Sequence, residues 1–88
     1  MSSDEIFERV RAVMIATFRI PETVAIGPET TSADVTGWDS LSHALLIMHV
    51  EEAFGLDLPF DRVYGLQNVG ELVGLLEELS AAAGTQAV

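Results

Sequence analysis

The chain has 88 residues, with four arginines, no lysine and fourteen carboxylic acids, giving a formal net charge of −10. That charge repels nucleic acid and anionic membranes and points to basic proteins as partners. The length allows one domain with one small core, and the absence of cysteine excludes a disulfide framework or a cysteine metal site.

Ser2-Ser3-Asp4-Glu5 carries the capping-box pattern, a serine followed three residues later by a glutamate. Ile6, Val10, Val13, Met14 and Phe18 then recur at helical spacing, which predicts a first amphipathic helix ended by Pro21. This polar, acidic start is unlike a signal peptide. From Arg19 to Asp39 neither period appears. Pro21, Gly27, Pro28 and Gly37 mark a long loop, with Val24, Ile26, Val35 and Trp38 read as pegs that hold it on the core. A second helix is predicted from Ser40 to Phe54, with Asp39 as N-cap and Gly55 as the C′ residue.

Leu58-Pro59 opens a short helical segment over Phe60–Tyr64. Asn68 followed by Glu71 marks another helix start, and Val69, Leu72, Val73, Leu76 and Leu79 give its apolar stripe. Gly70 and Gly74, costly in a helix, are read as marks of a close helix contact. The expected fold is all-α, a bundle of three main helices and one short one. Residues 1–80 form the domain, and 81–88 are read as a flexible tail. The longest apolar run, Ala44 to Met48, is far too short to cross a bilayer. The expectation is a soluble, cytoplasmic monomer that binds neither nucleic acid nor membrane.

The second helix has two apolar faces. Leu46, Ile47, Val50 and Phe54 share one side and form the core stripe. Leu41, Leu45 and Met48 follow i, i+4, i+7 spacing on the other, with Glu51 and Glu52 nearby. Either this helix is buried all round, or the second stripe is a docking surface; the small size of the bundle favours docking.

Ser40 opens this helix beside the second stripe. A nucleophilic serine needs a base and an oxyanion hole. Gly37-Trp38-Asp39-Ser40-Leu41 is not the G-x-S-x-G elbow, and His43, three residues on, is poorly placed on a helix to serve as a base. No His or acid cluster has metal-ligand spacing. Two roles stay open from the residues alone: Ser40 helps cap the helix, or it carries a phosphate at the positive end of the helix dipole.

Asp39-Ser40-Leu41 at the start of an amphipathic helix resembles the D-S-L attachment motif of the acyl carrier protein family. The likeness continues through Leu46, Ile47, Met48, Val50, Glu51, Glu52, Phe54 and Gly55, and through the long loop and the two later helices. The resemblance implies a four-helix, non-catalytic carrier. A phosphopantetheinyl transferase would attach 4′-phosphopantetheine from coenzyme A to Ser40, and the arm's thiol would hold acyl groups as thioesters. Asp39, Leu41, Leu45, Met48, Glu51 and Glu52 would form the docking face for the transferase and for acyl-loading, condensing or tailoring enzymes with basic or apolar patches. Two departures stand out: the family's usual acids two and five positions after the serine are here Ser42 and Leu45. The W-D-S-L-x-H run from Trp38 to His43 resembles discrete carriers of polyketide or related specialised pathways. The alternatives are a peptidyl or aminoacyl carrier, or an unmodified helical docking adaptor.

Overall fold

A computed structural model describes residues 2–21, 23–35 and 37–86, with the side chains of 82–86 excepted. The described residues form four helices: α1 (Ser3–Phe18), α2 (Ser40–Phe54), α3 (Phe60–Val63) and α4 (Val69–Gln86). The all-α bundle expected from the periodicities is the observed architecture. No helix among the described residues is long and apolar enough to cross a membrane.

Local chemistry sets most helix ends. Ser2 and Glu5 close the capping box at α1: the Ser2 hydroxyl accepts from the Glu5 backbone N–H, and the Glu5 carboxylate accepts from the Ser2 backbone. The far end differs from expectation, because α1 stops at Phe18 and not at Pro21. Arg19 takes a left-handed conformation (φ 55°), and the N–H groups of Arg19 and Ile20 both return to the Ile15 carbonyl. α2 begins and ends where its caps predict, with Asp39 at one end and Gly55 (φ 64°) at the other.

α1 packs against both α2 and α4. Ile6, Val10 and Met14 form its inner stripe and meet Leu46, Ile47 and Val50 of α2 and Val69, Leu72, Val73, Leu75 and Leu76 of α4 in one core. Val63 and Leu58 close it from the α3 side. α4 stays helical to Gln86, six residues beyond the expected domain end, helped by the helix-favouring run Ala81–Ala83. Most of the tail foreseen at 81–88 lies outside the residues whose side chains are described.

The long loop between α1 and α2 is held by more than its apolar pegs. Ile26 and Val35 are buried and Trp38 is half-buried, whereas Val24, expected as a peg, stands exposed. The loop also caps α4: the Thr30 carbonyl accepts from Val69 N–H at 3.0 Å, and the Pro28 carbonyl from Gly70 N–H at 2.7 Å. Two of the unpaired N–H groups that every helix start presents are thus satisfied by main chain about forty residues away. The same contact corrects the reading of the α4 glycines. A Cβ on Gly70 would sit 3.0 Å from the Pro28 carbonyl, so Gly70 admits the loop and not a helix; a Cβ on Gly74 would meet nothing within 4 Å.

Candidate functional site

The site is built at the junction where the loop turns into α2. Gly37 holds φ +90°, a conformation that a side chain would strain, and its carbonyl accepts from the Asp39 N–H at 3.2 Å. This tight turn delivers Asp39 to the N-cap position. There the carboxylate accepts from the Ser42 backbone N–H at 2.9 Å, and the Asp39 carbonyl takes the His43 N–H at 2.8 Å. The bond from the Ser42 backbone, seconded by the Ser42 side chain, holds the Asp39 carboxyl below its ordinary value.

A folded-state pKa below the unfolded one stabilises the chain above the ordinary carboxylate range, and that contribution disappears as pH falls through the lowered folded value. Asp39→Ala is therefore expected to lower the thermal midpoint at neutral pH and to leave it nearly unchanged in strong acid. Equal losses at both pH values would contradict the capping role.

Ser40 is the first residue of the fifteen-residue α2, and it is exposed. Its hydroxyl stands at the positive end of the helix dipole, an environment that favours a phosphate. His43 cannot serve it as a base. The indole N–H of Trp38 donates to His43 Nδ1 at 3.0 Å, and an indole nitrogen only donates, so Nδ1 must be the bare acceptor. The neutral ring then carries its proton on Nε2, which donates to the Val63 carbonyl at 2.8 Å. Both ring nitrogens are spent on structure.

The same residues form an aromatic ladder. Phe18 stacks on Trp38 with centroids 5.7 Å apart, Trp38 on His43 at 6.1 Å, Tyr64 meets His43 in a T-shaped contact at 5.5 Å, and Phe60 follows Tyr64 at 4.8 Å. The end of α1, the loop, the start of α2 and α3 are thereby joined. Beside Ser40 the ladder borders a cleft of about 330 Å³ lined by Trp38, Asp39, His43, Tyr64, Leu66 and Gln67 among others. That volume is at the lower end of small-molecule sites.

The two faces read from α2 separate cleanly. Leu46, Ile47 and Val50 are buried, while Leu41, Leu45 and Met48 are 82 %, 45 % and 55 % exposed, so this helix is not buried all round. The acid pair divides. Glu52 is exposed beside the stripe, whereas Glu51 turns its carboxylate to the Leu58 backbone N–H at 2.8 Å and fastens the segment after α2. Sequence reasoning missed two further exposed apolar side chains, Phe60 and Tyr64, which are 77 % and 50 % exposed. Their i, i+4 spacing around the core residue Val63 was the available signal.

Residues 8–76 match the family model for a phosphopantetheine attachment site. The chain is 33 % identical over 73 residues to an acyl carrier protein of Helicobacter pylori, a span of 83 % of this chain and 92 % of that protein. The fold is similar to the solution NMR structure of holo acyl carrier protein from Geobacter metallireducens, with a TM-score of 0.79 and 26 % identity over 89 % of this chain and 88 % of that one.

Proposed function

The chain belongs to the acyl carrier proteins of the phosphopantetheine-attachment family, and from that membership we propose that Ser40 is the residue that bears the arm. As a member it is a carrier and not an enzyme, and its cofactor is covalent phosphopantetheine. One observation carries the assignment of Ser40: an exposed hydroxyl on the first residue of a long, capped helix, with both ring nitrogens of His43 engaged elsewhere. The residues fit the group. The helix start favours the phosphate, and the adjoining cleft has room for an organic arm. Once attached, the arm supplies a thiol that carries acyl groups as thioesters, which this cysteine-free chain cannot provide from its own side chains. Incubation with coenzyme A, magnesium and a broad-specificity transferase should add one phosphopantetheine mass.

The transferase and the acyl-handling enzymes are read as docking on Leu41, Leu45 and Met48, with Asp39 shaping the attachment point and Phe60 and Tyr64 extending the face. Of the acid pair, Glu52 supplies the charge available to a partner, because Glu51 is engaged with Leu58. Apolar contact then outweighs charge near Ser40. Leu45→Ala is expected to raise the transferase KM several-fold while leaving the fold intact. Raising salt from about 50 to about 150 mM, which shortens the screening length to roughly 8 Å, is expected to weaken docking by less than tenfold. A steep salt dependence with an unaltered KM in Leu45→Ala would overturn this face.

The W-D-S-L-x-H run supports a specialised pathway of the polyketide type, operating in the cytoplasm. Intact-mass measurement of the protein from its own host tests this through the cargo: intermediates of the ordinary fatty-acid series would contradict it.

A further inference from the structure

Resting on the reading of Ser40 as the attachment residue, the structure raises a question of where a tethered acyl group lies. Two places are within reach of the start of α2. One is the outer cleft of about 330 Å³; the other is the core, reached by parting α2 from α3. Apolar cargo gains by leaving water in either place, so what must be broken to admit it decides.

The seam between α2 and α3 is fastened by His43. Its ring takes the Trp38 indole N–H on one side and gives its own N–H to the Val63 carbonyl on the other. Trp38 also stacks on this ring, and Tyr64 makes a T-shaped contact with it. Val63 is itself 3 % exposed and part of the core. Parting the helices would strip the imidazole N–H and a main-chain carbonyl of each other in partly buried surroundings, and both are costly to leave unpaired; the Trp38 bond, on the α2 side, keeps the ring aimed at that carbonyl. Occupying the cleft breaks none of these bonds. The Gln67 side chain and the Tyr64 hydroxyl line this cleft and are of the kind that hydrogen-bonds the amides of an arm. Tethering raises the local concentration to the millimolar range, enough to fill a shallow site.

We propose that His43 bolts α3 to α2, so that an acyl group attached through Ser40 is kept out of the core and lies in the cleft between Trp38, Tyr64 and Gln67. His43 is then a specificity-determining residue: the carrier favours short acyl groups, which the cleft can cover.

The test uses the full chain loaded from acetyl-, butyryl- and octanoyl-coenzyme A, with each product verified by mass before NMR spectra are compared with the unmodified protein. Failure to gain mass defeats the attachment reading and is seen before any spectrum is recorded. In the loaded wild type, the Trp38 indole, Tyr64 and Gln67 signals are expected to move. The methyls of Leu46, Val50 and Leu72 should hold their positions from acetyl through octanoyl. His43→Leu, which removes both bonds, should let the octanoyl group shift those core methyls; His43→Gln, which can still accept and donate, should restore the wild-type pattern. The proposal is overturned if core methyls of the wild type move progressively with chain length, or if shifts in every loaded form stop at the neighbours of Ser40. Should His43→Leu fail to fold, the wild-type series still decides between cleft and core.

Discussion

Ser40→Ala is expected to abolish loading entirely while leaving the protein folded. The bond to the arm is made to the serine oxygen, so its removal leaves no partial activity. The fold should be indifferent for three reasons. Ser40 is exposed, α2 is capped by the Asp39 carboxylate and not by the Ser40 hydroxyl, and alanine is the best helix former. A change in stability within about 0.5 kcal/mol is typical of such a surface site. Intact-mass spectra after transferase treatment should show one added phosphopantetheine on the wild type and none on the variant, with matching thermal midpoints. A variant that still gains the mass would move the attachment elsewhere. A wild type unchanged by a transferase of proven activity would remove the carrier assignment of this serine.

The second large effect lies in the core. Leu46 is fully buried on the inner face of α2, in the cluster that includes Val10 and Met14 of α1 and Leu72 and Leu76 of α4. Leu46→Ala should cost about 2–5 kcal/mol, because the cavity adds to the lost transfer energy. Domains of this size hold on the order of 5–10 kcal/mol in all, so the midpoint should fall by at least roughly 10 °C. Met48→Ala, two residues along the same helix but 55 % exposed, should change stability by less than about 1 kcal/mol. Chemical denaturation of the pair checks this directly. Equal losses would mean that α2 does not present two different faces.

That contrast also shows how much of the molecule could be read before the fold was known. The separation of Leu46, Ile47 and Val50 from Leu41, Leu45 and Met48 follows from a turn of 100° per residue, a property of the helix alone. Likewise Asp39 and Gly55 bound α2, and Ser2 with Glu5 starts α1, through bonds spanning three or four residues. Asn68 shows a limit even at this range. Its side chain accepts from the Glu71 N–H as expected, but Glu71 answers to the N–H of Gln67 and not to that of Asn68.

Other residues take their roles from partners far along the chain. Glu51 looked like half of an acidic docking pair, yet it holds Leu58. Gly70 looked like a helix–helix contact, yet it makes room for Pro28. Val24 is as apolar as Ile26 but is left outside when the loop folds onto α4. Phe60 and Tyr64 face outward because Val63 alone of that short helix reaches the core.

An acidic, all-α chain, the limits of α2, a serine at its start and the apolar stripe beside it are all legible in the order of the residues. Each of these rests on composition, helical period or capping between near neighbours, which act wherever the chain goes. The surroundings of that serine, its exposure included, come from contacts between distant parts of the chain. His43 becomes a strut and not a base because Trp38 and Val63 arrive on opposite sides of its ring, five residues before it and twenty after. No period or spacing encodes that meeting. It exists only once the loop has folded back and α3 has docked against α2.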